Sequence, residues 1–135
     1  MTLPIVTHPN DTMLRKETEP IAIASLQGSD MQNFFDTMID TMHAANGIGI
    51  AAPQVDKSIR ATALNKEAFP KRFLLGGKEV YEDVILVNPK WERTSRKSDV
   101  DIEGCLSLPG QLGRVKRWKD ITVQAFDRQG KLLVF

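Results

Sequence analysis

The chain has 135 residues, 41% hydrophobic and 26% charged, which excludes a disordered polymer and allows one domain of ordinary size. Its formal net charge is +1, which argues against a nucleic-acid partner held by bulk charge. A single cysteine excludes an internal disulfide, and two histidines leave little room for a self-contained histidine-rich metal site.

Residues 3–20 carry Pro4, Pro9 and Pro20 and read as extended chain with a short turn near residues 10–14. The start lacks the basic and long apolar segments of a secretory signal, and no run reaches the roughly 18 apolar residues of a spanning helix. A cytoplasmic protein without membrane attachment is expected, or an organellar one if a transit peptide has been removed. The run Ile21-Ala22-Ile23-Ala24 does not declare a period.

A helix is the clearest element. Ser29 or Asp30 is positioned to cap it. Met31, Phe34, Phe35, Met38, Ile39 and Met42 recur at spacings of three and four and form one apolar stripe, and Asn46-Gly47 ends it. The stripe reads as core packing, and His43 as a helix-end or packing residue.

Strand-like pieces follow at residues 58–64 and 73–75, with Gly76-Gly77 as a hairpin turn. Val84 to Val87 reads as a buried strand stopped by Asn88-Pro89. Residues 92–98 read as an exposed connection whose Arg93, Arg96 and Lys97 form a solvated face. Val100 and Ile102 alternate with Asp99, Asp101 and Glu103, as one face of a strand would. Residues 115–123 contain Arg117-Trp118-Lys119-Asp120, after which Ile121, Val123 and Ala125 alternate; residues 127–130 read as a turn and residues 131–135 as a returning strand. One helix with many short strands is an α+β pattern.

Two segments carry chemistry. Gly47-Ile48-Gly49-Ile50-Ala51-Ala52-Pro53-Gln54 follows a helix and lacks a third glycine, so it is neither a dinucleotide fingerprint nor a P-loop. Its small residues suit close backbone approach, either to a ligand or simply in a tight turn. Gln54 supplies an amide able to donate to an oxyanion. Glu103-Gly104-Cys105-Leu106-Ser107-Leu108-Pro109-Gly110 places the cysteine among glycine-rich turns. Taken alone it fits a buried structural thiol as well as a ligating or nucleophilic one. A cysteine hydrolase would have to find its base in His8 or His43.

Taken together, in this order, the two segments closely resemble the peptide deformylase family. The resemblance extends to Leu14-Arg15, to Val87-Asn88-Pro89, and to Pro109-Gly110 followed by Val115 and Arg117, and it covers nearly the whole chain. It implies removal of the N-terminal formyl group from formyl-methionine of nascent peptides, with a divalent metal: iron, or zinc or nickel in its place. Cys105 would be a metal ligand. Gln54 and the backbone amide of Leu106 would stabilise the oxyanion. Gly47, Ile48, Gly49 and Glu103 would line the substrate groove. A metal-bound water would attack the formyl carbon. Expected partners are formyl-methionyl nascent peptides, with transient proximity to the ribosome and no specific nucleic acid.

The family's third motif, His-Glu-x-x-His on a helix, supplies two more ligands and the general acid and base. It does not occur in these 135 residues. The expectation is therefore a deformylase-like domain over residues 1–135, C-terminally incomplete and inactive alone. Its origin would be a truncated or proteolysed product, a shortened paralogue that at most binds N-terminal peptides or a partner, or a degenerate protein. Intact Gln54, Glu103 and Cys105 favour the first. With that helix absent, residues 132–135 would leave an apolar edge through which a dimer is expected. Many relatives carry arginine where this chain has Leu112. Arg114, two positions later, is the residue that could replace that charge near the groove.

Overall fold

A computed structural model describes all 135 residues. The first twenty run mostly extended, with one 3-10 turn at Thr12–Arg15. They are tied down by Glu19, which bridges to Ile59. The undeclared run after Pro20 opens into a second 3-10 turn, Ile23–Gln27.

Helix α1 spans Ser29–Ala44. Neither expected cap holds: Ser29 is the first helical residue, and extended Gly28 caps without a side chain. Asp30 still lies in the first turn, where a carboxylate complements the free amides. The stop behaves as read. Asn46 takes a left-handed φ of 54°, and the amide of Gly47 donates back to the carbonyl of Met42 at 2.9 Å.

Five strands build the main sheet: β1 (Gly49–Ala51), β2 (Ala61–Leu64), β5 (Val84–Arg93), β8 (Ile121–Phe126) and β9 (Leu132–Val134). Their order is β1-β2-β5-β8-β9, and every pairing is antiparallel. Gly76 and Gly77, both at positive φ, turn the two-residue strands β3 (Leu74–Leu75) and β4 (Lys78–Glu79) into a small hairpin. A separate two-stranded ribbon pairs β6 (Ser98–Cys105) with β7 (Leu108–Trp118).

Two expectations are corrected. The strand beginning at Val84 does not stop at Asn88-Pro89 but runs on to Arg93, so residues 92 and 93 belong to the strand and not to a loop. The register with β8 shifts between Val87 and Lys90, which marks a bulge. Asn88 occupies it at φ 51°, a conformation asparagine tolerates better than most residues. Proline needs no ladder partner there, so the pair bends the strand instead of ending it. Arg93, read as a solvated charge, places its guanidinium 4.6 Å from the ring centre of Trp118.

The core follows the helical stripe. Phe35, Met38 and Met42 are fully buried against Ile50, Ala61, Ala63, Ile85 and Val87, with Met31, Phe34 and Ile39 at the margin. Alternation along β5 sends Leu86 to the opposite face, where it meets Ala125 and Leu133.

The C-terminal end of α1 is fastened by a hydrogen bond between His43 and Asp83. His43 Nε2 lies 2.5 Å from Asp83 Oδ2, and Asp83 Oδ1 accepts from the amide of Lys66. Partial burial alone would raise the Asp83 pKa. The bonds from His43 and Lys66 outweigh it and hold the carboxyl below its usual value. A depressed folded-state pKa contributes stability at neutral pH that is lost as pH falls through that value. Asp83→Asn should therefore cost about 1 kcal/mol at neutral pH. That cost should shrink as pH falls through the folded-state pKa of Asp83, where the wild-type carboxyl is protonated too. Urea midpoints across that range measure it, and a difference that persists in acid would contradict the ionic role.

Candidate functional site

The two chemistry-bearing segments meet. Gln54 sits in a 3-10 turn directly after β1, and Cys105 ends β6 at the turn into β7. Their separation in sequence is bridged by one side chain. Gln54 Nε2 lies 3.6 Å from Cys105 Sγ and 3.1 Å from Ser107 Oγ.

The orientation of that amide is set by its other end. Gln54 Oε1 accepts from the amide of Ala51 at 2.8 Å, so the NH2 group must point outward. The carbonyl of Gln54 accepts from Val6 at 2.7 Å, which anchors the turn to the N-terminal segment. A fixed donor beside a thiol is the arrangement needed to receive developing negative charge without reorganisation.

Ser107 was not singled out by the sequence reading. It is buried, accepts from Gln54, and its carbonyl accepts from the amide of His8 at 3.0 Å. A hydroxyl two residues beyond the cysteine was the available signal, but its burial could only be seen in the fold. Through Ser107, the N-terminal segment, Gln54 and the β6–β7 turn become one unit.

Cys105 is exposed, which removes the buried structural thiol. It opens on a hollow of about 460 Å³ shared with His8, Asp11, Leu14, Arg15, Ser107, Leu108 and Gln111. His8 Nδ1 is engaged by Asp11 at 3.3 Å, and Arg15 donates to the same carboxyl oxygen. The bond to His8, helped by Arg15, holds Asp11 below the usual carboxylate range. The sulfur's hydrogen-bond partner is Gln54 and not a histidine, which gives a cysteine hydrolase no base-nucleophile pair. His43 lies elsewhere, bound to Asp83.

None of the expected groove residues lines that hollow, but Gly47 meets the turn that follows Cys105. A Cβ on Gly47 would lie 2.8 Å from Leu106 Cδ1, so the absence of a side chain lets the Cys105–Ser107 turn close over the end of α1. Ile48 projects into solvent beside β1, and its carbonyl accepts from the amide of Asn65. Gly49 begins β1, which is an edge strand, paired on one side only. Glu103 accepts two bonds from Arg117, at 2.8 and 3.0 Å, and this pairing holds its carboxyl below the usual range. The ribbon register places Arg114 opposite Ile102, on the same face as Leu112 and on the side away from Glu103.

Cys105 offers one accessible thiol, but no three His, Cys, Asp or Glu side chains converge anywhere in the chain. These residues supply one ligand and do not complete a site for a catalytic ion.

Comparison with known proteins identifies the family. The family model for polypeptide deformylase matches residues 2–135. A peptide deformylase of Thermodesulfovibrio yellowstonii is 38% identical over 122 residues, which cover 90% of this chain and 66% of that protein. Peptide deformylase 1A, chloroplastic/mitochondrial, of Arabidopsis thaliana is 32% identical over 135 residues, covering 96% of this chain and 50% of the plant protein. The chain thus spans about half to two thirds of the length of these curated relatives. A crystal structure of a class I type b peptide deformylase from Acinetobacter baumannii, bound to Met-Ala-Ser, superposes with a TM-score of 0.82 at 29% identity. That match covers all of this chain and 82% of the other. No helix of the chain is long and apolar enough to cross a membrane.

Proposed function

The chain belongs to the polypeptide deformylase family, and on that footing we propose that it serves removal of the N-terminal formyl group from formyl-methionyl peptides. The observation that carries this reading is the locked amide of Gln54 beside Cys105 and Ser107. An extended peptide adds to the free edge of β1, where backbone groups bind it without regard to side chains. Ile48 and Gly49 flank that edge, and Glu103, held by Arg117, shapes one wall. Gln54 Nε2 and the amide of Leu106 donate to the formyl oxygen as it gains charge, where each bond counts toward rate.

We assign the ligand role of Cys105 on the family resemblance together with its exposure. One thiolate does not hold a divalent ion in a fixed geometry, so the 135 residues alone are expected to bind formyl peptide without turning it over. The same donor set favours a second reading, a non-catalytic module that binds N-terminal peptides.

Titrating formyl-Met-Ala-Ser into the chain, with metal content and formate release measured together, tests both. Binding that weakens in Gln54→Leu, with substoichiometric metal and no formate, is the expected result. Tight stoichiometric metal with full turnover would sink the inactivity claim, and absence of peptide binding would sink both readings. Cys105→Ser separates them: the peptide-binding module is unaffected, whereas a metal-dependent site loses whatever ion it holds.

A further inference from the structure

The β6–β7 ribbon sorts its side chains by face. The register pairs Ser98 with Trp118, Val100 with Lys116, Ile102 with Arg114, and Gly104 with Leu112. These residues share one side, because alternate positions of paired strands do. The other side carries Asp99, Asp101 and Glu103 with Arg117 and Val115. One face is thus apolar and cationic with no carboxylate, and the opposite face is mainly acidic.

The aliphatic members are largely open to solvent. Ile102 is 64% exposed, Leu112 77% and Val100 49%. Lone exposed apolar residues are ordinary, but a row of them on one strand face is not. Arg93 extends the row by lying over Trp118. Arg93, Arg114 and Lys116 take part in none of the chain's ion pairs. We propose that this face docks an acidic amphipathic segment of a partner protein, with aliphatic side chains against Val100, Ile102 and Leu112 and carboxylates meeting Arg93, Arg114 and Lys116.

Charge decides among occupants. A second copy, face to face, would set these three cations against three more. Lipid surfaces and RNA are drawn by the summed field of a patch. Here Asp99 and Asp101 lie on the back of the same two-stranded ribbon and weaken that field. Paired contacts to individual carboxylates are not weakened in the same way. From Ser98 to Gly104 the face runs roughly 20 Å, the length of about four helical turns. The proposal does not rest on the formyl-peptide reading, although Leu112 on this face stands where relatives carry the groove arginine.

The probe is a fluorescein-labelled Leu/Glu amphipathic helix of about 14 residues, long enough for four turns. It is titrated into the chain by anisotropy, beside the same peptide with Gln replacing Glu. Saturable binding of the Glu peptide is expected. Affinity should fall about tenfold or more in the double variant Arg114→Glu, Lys116→Glu, and also with the Gln peptide. Ile102→Ser with Leu112→Ser should weaken it as well. All four positions are exposed, and unchanged thermal melts confirm that the variants fold. Failure of the Glu peptide to bind, or binding indifferent to both pairs of substitutions, overturns the proposal. So does preferential binding to phosphatidylcholine–phosphatidylglycerol vesicles or to oligouridylate. A dimer in light scattering that Ile102→Ser with Leu112→Ser abolishes would assign the face to a second copy instead.

Discussion

Phe35→Ala is expected to destabilise the chain by about 3–5 kcal/mol, the range for emptying a fully buried aromatic site. Phe35 is wholly buried at the centre of the helical stripe, between Met38 and Met42 on its own helix and the sheet beneath. Its ring also lies 5.7 Å from the guanidinium of Arg128, which donates to Gln32 and Asp36 on the same helix. The substitution therefore leaves a cavity and removes the surface on which that arginine rests. Met31, partly exposed one turn earlier on the same stripe, is the internal comparison. Met31→Ala should cost clearly less, because its site is already open to water. Urea unfolding followed by circular dichroism measures both. A Phe35→Ala cost below about 1 kcal/mol would mean that α1 does not pack on the sheet through this residue.

Asn88→Ala should cost about 2–3 kcal/mol, from two separable causes. Asn88 has a left-handed backbone, and its side chain forms a two-point clasp with Ile21. Oδ1 accepts from the Ile21 amide at 2.7 Å, and Nδ2 donates to the Ile21 carbonyl at 2.8 Å. Ile21 is buried, so losing the clasp leaves backbone groups without partners away from water. Asn88→Gly isolates the terms. Glycine accepts the positive φ without strain but makes no clasp, so Asn88→Gly should fall between wild type and Asn88→Ala. Equal costs for the two variants would assign the whole effect to the clasp. A glycine variant less stable than the alanine one would contradict the backbone argument.

The parts of the fold that could be read in advance are those set by local chemistry. The spacing of Met31, Phe35, Met38 and Met42 declares a helix because side chains three and four apart share a face whatever lies opposite. Asn46-Gly47 and Gly76-Gly77 announce a helix stop and a hairpin because few residues tolerate positive φ. Val84 to Val87 could be recognised as a buried strand, but its length could not. Its continuation past Pro89 depends on β8, which is distant in sequence and supplies the ladder from Lys90 to Arg93. The helix cap was misplaced for a related reason: Ser29 has capping chemistry, but the chain enters the helix one residue earlier, at Gly28.

The site divides along the same line. Both motif segments were legible because their residue types, order and spacing resemble one family. The sequence alone thus determined the α+β class, the helix with its buried face, and Gln54 and Cys105 as residues of interest. Only the tertiary structure decided that the Gln54 amide is turned by Ala51 toward the thiol, and that Ser107 is buried beneath it. The same holds for Arg114, which faces away from Glu103, and for Val100 and Ile102, which alternate like a half-buried strand yet lie open. Alternation specifies which residues share a face, but what covers that face depends on long-range packing that local pattern does not encode.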